Sequence, residues 1–162
     1  MLKENLIGSV LMCHAPIVIP SVAKTRAKMI EHSTQAMRNA AKFLVEKNPD
    51  VLVVLSPHTP RLSDKFGIIE NNPISGSLID FGVPEIEITL PSELEEKNLL
   101  LKETDKNIIA MTKIDNLDHG AIVPLYFLKE AGFNNNTIIL SFPYSPSFEE
   151  CEAIGKTILK AS

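Results

Sequence analysis

Val51-Leu52-Val53-Val54-Leu55-Ser56-Pro57-His58 is the stretch that decides the fold. Its first five residues are all apolar and mostly β-branched. A strand of this kind, without alternation of apolar and polar residues, is buried on both faces, as in a parallel sheet covered by helices. Asn48-Pro49-Asp50 precedes it and stops whatever helix runs into it, because proline disfavours helix in the residue before it. His58 then stands just past the strand's carboxyl end, the edge at which ligands bind in open α/β sheets.

A second apolar run lies upstream. Leu6-Ile7-Gly8-Ser9-Val10-Leu11-Met12-Cys13 leads into His14, and residues 5–12 read as another buried strand. The loop His14-Ala15-Pro16-Ile17-Val18-Ile19-Pro20 follows. A long helix is then expected from Ser21 to Lys47, with Met29, Ser33, Ala36, Met37, Ala40, Ala41 and Leu44 on one face. Strand, helix and strand make a βαβ unit, and such crossovers are right-handed in nearly all cases. The two strand ends, and with them His14 and His58, should converge on one crevice. By strand alternation Cys13 points away from it, into the core.

Downstream, the region up to Pro84 reads as loop, with turn chemistry at Ser75-Gly76-Ser77 and Phe81-Gly82-Val83-Pro84. Glu85-Ile86-Glu87-Ile88-Thr89-Leu90 alternates as a strand with one wet face. Ser92 and Glu95 have the spacing of a capping box opening a helix to Glu103. Asn107–Thr112 is a short strand, and Ala121–Ala131 is a helix closed by Gly132. Thr137–Ser141 is a strand. Ser147 and Glu150 form a second capping-box pattern, opening a helix to Lys160. The whole predicts one three-layer α/β/α domain over 1–162 with a largely parallel or mixed central sheet. The alternation ends on a helix, so the expected strand after it is missing. An unfinished sheet edge of this kind favours self-association.

Composition narrows the function. The 162 residues are 44% hydrophobic and 22% charged, with a net charge of -4. Lys and Arg are scattered, which argues against nucleic acid. No apolar run approaches a bilayer-spanning length, and the N-terminus lacks a signal-peptide layout. Cys13 and Cys151 form no CxxC pair, and a reducing cytoplasm is the expected compartment. GxGxxG, P-loop, GxSxG and HExxH motifs are all lacking.

The candidate chemistry is imidazole chemistry. Neutral imidazole is the commonest metal ligand, and two strand-end histidines supply two-thirds of a three-donor site. Either His14 or His58 alone is more simply a loop histidine; the pair is the stronger signal. His119, in Leu117-Asp118-His119-Gly120, enters a helix that Asp118 would cap, and it either lines the same crevice as a proton shuttle or is a plain helix-entry residue. His32 lies mid-helix and reads as surface. Arg61 is either an anion partner or a solvated loop residue. Tyr126 and Phe127 read as helix packing.

Four segments occur in a telling order: His14-x-Pro16; Asp50-x-Leu52-Val53-Val54-Leu55-Ser56-Pro57-His58; Ser75-Gly76-Ser77-x-x-Asp80-Phe81-Gly82; and Leu117-Asp118-His119-Gly120-Ala121-Ile122-Val123-Pro124-Leu125. In these the chain resembles the N-terminal portion of the class III extradiol ring-cleavage dioxygenases, the LigB-like domain. The version associated with Memo and radical-SAM proteins is the nearest in flavour. The resemblance implies a non-haem Fe(II) site, with Zn(II) as the substitute metal, in which His14 and His58 are metal histidines. It places His119, with Asp118, near a catecholic diol and O2 as the catalytic pair. It also implies a carboxylate ligand and a further catalytic histidine that have no counterpart in 1–162. Asp64, Asp80, Glu85 and Asp118 do not match the family's carboxylate position. A partner subunit or further domain would then complete the site. The competing expectation is a non-enzymatic, Memo-like metal-binding or protein-interaction module. A zinc metallohydrolase ranks last, since no motif supports it.

Overall fold

A computed structural model describes residues 6–58 and 60–162. Asn5, in the first expected strand, and Thr59, beside His58, fall outside the described residues. Among the described residues there are six strands: β1 (Val51–Ser56), β2 (Phe66–Ile69), β3 (Ile74–Leu78), β4 (Val83–Leu90), β5 (Ile109–Thr112) and β6 (Asn136–Ser141). The α-helices are α1 (Pro20–Ala23), α2 (Glu31–Val45), α3 (Leu94–Glu103), α4 (His119–Glu130) and α5 (Phe148–Ala161).

The main sheet has the order β1-β6-β2-β5. β1 runs parallel to β6 with Ser56 opposite Ser141, and β2 runs parallel to β5 but antiparallel to β6. The sheet is therefore mixed. Alternate residues of its strands feed two cores. Leu52, Val54, Ile69 and Ile139 face one core together with α2, α4 and the β3–β4 ribbon. Val51, Val53, Phe66, Ile68, Ile138 and Leu140 face the other, with α3 and α5. Helices on both faces of one sheet make the expected three-layer α/β/α arrangement.

Several expected elements form where expected. β1 occupies the apolar run of residues 51–56. β4 buries Val83, Ile86, Ile88 and Leu90 and exposes Glu85, Glu87 and Thr89. α5 carries the full capping box: Ser147 Oγ accepts from the Glu150 N–H, and the Ser147 N–H donates to the Glu150 carboxylate.

Other expectations are corrected. No strand forms over residues 6–13, so the first βαβ crossover is not made among the described residues. Val10 and Met12 pack on the core while Leu6, Ile7 and Leu11 stay exposed, so one face is covered and the other is not. Cys13 is exposed rather than in the core, for the same reason. The expected helix over residues 21–47 is broken. Lys24 takes φ 53, residues Lys24–Ile30 are 3-10 in form, and regular helix starts at Glu31. None of residues 24–30 is buried, so no packing rewards a continuous helix there. Met29, expected on the inner face, is exposed, as are Ser33 and Ala36, whereas Met37, Ala41 and Leu44 are buried.

β2 and β3 lie inside the segment expected to be loop. Their glycines serve close approach rather than turning. A Cβ on Gly67 would sit 2.6 Å from Ser141 Oγ, and one on Gly76 would sit 2.6 Å from the Leu117 carbonyl oxygen. Ser92 does not cap α3. Its Oγ donates to the Thr137 carbonyl at 2.6 Å, and the N-cap is Glu93, whose N–H donates to Asn136 Oδ1 at 2.7 Å. Among the described residues no helix is long and apolar enough to cross a membrane.

Candidate functional site

Three histidines from distant parts of the chain meet at the carboxyl end of β1. His14 and His58 have ring centroids 5.0 Å apart, His58 and His119 4.5 Å, and His14 and His119 6.1 Å. His14 and His58 are exposed and His119 is half-buried. His32 is exposed and takes no part.

Each histidine has a local reason for its place. His58 follows β1 directly, and its N–H donates to the Oγ of the buried Ser56 at 3.3 Å. His14 stands two residues before a 3-10 turn at Pro16–Val18, whose tight bonds set the chain's path. His119 is the first residue of α4. Asp118 is the N-cap, and its carboxylate accepts from the Gly120 N–H at 2.7 Å, as expected of an aspartate at a helix start.

Two glycines bring α4 to this edge. A Cβ on Gly120 would meet Ser56 Oγ at 2.6 Å and His58 Cδ2 at 2.9 Å. Only hydrogen fits between the start of α4 and the end of β1. On the other side, the Leu117 N–H donates to the Ser75 carbonyl at 2.7 Å, and Gly76 makes room for the Leu117 backbone. The Ser75-Gly76-Ser77 segment is thus a strand that braces the entry to α4.

Phe81 appears in the sequence only within turn and family segments, with no role of its own. Its ring packs edge-on against His119 at 5.3 Å and gives the cluster an apolar wall. The surviving signal for it was its place in Asp80-Phe81-Gly82. Ser56, another residue not singled out, shapes the floor. Asp118 adjoins the histidines as the residue before His119. Glu85 lies on the wet face of β4, and Asp64 accepts from Ser63 Oγ. Tyr126 and Phe127 lie in or against the core, as expected of packing residues.

The electrostatics favour a neutral His119. Desolvation by burial lowers its pKa below the usual 6.5, and the nearby His58 and His14 lower it further against the opposing pull of Asp118. Neutral imidazole is the form that accepts a proton or binds a metal.

With metal–nitrogen bonds of about 2.0–2.1 Å, two imidazoles on one ion hold their centroids roughly 5 Å apart. The His14–His58 pair, at 5.0 Å, fits that requirement. Among the described residues no three His, Cys, Asp or Glu side chains are arranged to hold a metal ion together.

Protein CA_C1420 of Clostridium acetobutylicum is 32% identical over 137 residues, covering 78% of this chain and 29% of that protein. The chain therefore spans less than a third of that relative's length. Over residues 8–162 it matches the family of the catalytic LigB subunit of aromatic ring-opening dioxygenase, and it belongs to that family.

Proposed function

We propose that this chain is one LigB-like domain carrying the histidine part of an extradiol ring-cleaving dioxygenase site that acts on a catecholic diol with O2. The observation that supports it most is the meeting of His14, His58 and His119, which no local feature of sequence required. His14 and His58 are the metal donors in this reading, for Fe(II) with Zn(II) as the substitute. Fe(II) held by two histidines and a carboxylate leaves positions open for substrate and oxygen and polarises both. In this reading the carboxylate comes from a further domain or a partner subunit, and association with a second copy is the other arrangement that covers the open sheet edge.

The chain's own residues do the rest. His119, kept neutral by burial, takes a proton from a diol hydroxyl. Asp118 fixes the first turn of α4 and with it the imidazole. Phe81 forms an apolar wall suited to an aromatic ring. The net charge of -4 fits a small-molecule substrate rather than nucleic acid, and the cytoplasm is the proposed compartment.

A second reading has its own support. The described residues contain no three-donor set, which favours a Memo-like metal-binding or protein-contact module. Anaerobic titration with Fe(II) and Zn(II), beside the His14→Ala/His58→Ala variant, tests the metal site. Stoichiometric binding that the variant loses supports it; equal binding by both, or none by the wild type, overturns it. Yellow ring-opened product from catechols and O2 in the longest form of the protein then separates enzyme from module.

A further inference from the structure

We propose that a second copy of this chain docks the acidic face of its β4 on the basic segment Lys24–Ile30, so that the protein associates head to tail. The contact goes beyond the dioxygenase reading and does not rest on it. It also uses other residues than the open edge of the main sheet.

Charge is segregated along the chain. No Asp or Glu stands between Glu4 and Glu31, and Lys24, Arg26 and Lys28 lie in that stretch. Between Lys65 and Lys97 there are seven acidic residues and no Lys or Arg. Lys97 itself is fully buried, and its Nζ donates to the Glu70 and Asn71 carbonyls. It therefore does not offset the acidic stretch at the surface.

The backbone presents the basic segment rather than packing it. Lys24 takes φ 53, a conformation uncommon for a residue with a Cβ. The seven 3-10 residues after it exceed the usual length of such a run, although most are good helix formers. None of them is buried. Lys24, Arg26 and Lys28 are exposed, and among the described residues none of them pairs with a carboxylate. Met29 beside them is 82% exposed. A groove of about 460 Å³ adjoins the segment, with Pro20, Ala27 and Lys28 on its walls and Glu31 as its acidic member.

The complement lies on the β3–β4 ribbon. Glu85 and Glu87 project from one face of β4, spaced by about 6.4–6.8 Å along the strand. The neighbours across the ribbon are small: Ser77 stands opposite Glu87, and Ser75 opposite Thr89. Both glutamates are exposed and without an ion pair among the described residues. Lys129 reaches this ribbon, but it donates to the Thr89 carbonyl at 3.3 Å.

Neither charged set is thus neutralised by the other within one chain, and a second copy carries the match for each. The two patches differ, so the contact is heterologous and each copy can use both. Exposed ion pairs are individually weak and screened by salt. The association is accordingly weak and salt-sensitive.

Sedimentation velocity of the full chain over a concentration series, at roughly 20 mM and 500 mM salt, reads it. The expected result is species larger than a dimer at low salt, with association about 10-fold or more weaker at high salt. Lys24→Gln/Arg26→Gln/Lys28→Gln and Glu85→Gln/Glu87→Gln should each be monomeric alone. Mixed in equal amounts they should give a dimer and nothing larger, because each brings one intact patch. Circular dichroism checks that both are folded, and either variant decides the question without the other. A monomeric wild type at low salt, equal association at both salts, or association kept in either variant overturns the proposal. Association kept in both variants is instead the result that sheet-edge pairing gives. Metal titration at His14 and His58 is unmoved by any of these outcomes, so the dioxygenase reading stands or falls separately.

Discussion

Gly120→Ala should loosen the joint between α4 and β1 and pull His119 away from His58. The added Cβ would lie 2.6 Å from Ser56 Oγ, 0.8 Å short of the 3.4 Å at which ordinary contact begins. Ser56 cannot give way easily: it is fully buried at the end of β1, and its Oγ accepts from the His58 N–H. His58 Cδ2 and Asp118 Oδ1, both at 2.9 Å, crowd the same methyl. Overpacking of this kind costs about 1–3 kcal/mol. Alanine returns at most about 1 kcal/mol of helix propensity over glycine, and less in the first turn. The net expectation is a loss of about 1–2 kcal/mol. Urea denaturation measures it, and the imidazole resonances of His58 and His119 should both move. Ser56→Ala removes the nearest clashing atom, so the double variant should be less destabilised than the two singles added, by about 0.5 kcal/mol or more. A Gly120→Ala protein as stable as the wild type, with both imidazole signals unmoved, would refute the seating of α4 on β1.

Three further outcomes are expected. Gly76→Ala should cost more than Gly120→Ala, because its Cβ meets the Leu117 backbone at 2.6 and 2.8 Å and backbone cannot step aside; equal or smaller loss in the same denaturation series contradicts this. Gly155→Ala, within α5 and facing open space, should stabilise by up to about 1 kcal/mol and raise the melting temperature. Burial first, and then the other two imidazoles, lower the pKa of His119 from 6.5, so the unfolded chain binds its proton at a higher pH than the native protein does. Its contribution to stability therefore rises with pH up to the ordinary value, and the penalty is full below the native one. His119→Asn should flatten the wild-type slope on the acid side of 6.5 in denaturation at a series of pH values, and an unchanged slope counts against the assignment.

Much of the fold was legible wherever a local signal carried its own meaning. β1 is an apolar run bounded by a helix stop. β4 alternates, and α4 and α5 begin on Asp118 and Ser147, whose side chains accept from the helix's own backbone. Ser92 had the same spacing as Ser147 but is drawn to the Thr137 carbonyl, since a capping pattern competes with any better-placed acceptor nearby. β2 is four residues with a glycine inside, too short for periodicity to register, and β3 hides behind turn-forming residues. Their glycines are explained by Ser141 and Leu117, which are remote in sequence. Of the site, His14, His58, His119 and Asp118 could be picked out, although the strand expected to deliver His14 does not form. The packing of Phe81 on His119 and the contacts of Arg61 with the Pro143 and Tyr144 carbonyls are not legible there, because ring packing and carbonyl contacts have no local pattern.

By itself the sequence determined the α/β class, the family and the three histidines, because burial pattern, caps and short motifs are properties of neighbouring residues. Only the tertiary structure decided the mixed strand order, the ribbon that braces α4, and the centroid separations of 4.5–6.1 Å among imidazoles up to 105 positions apart. Those depend on which surfaces pack together, and close packing is settled by the whole chain at once.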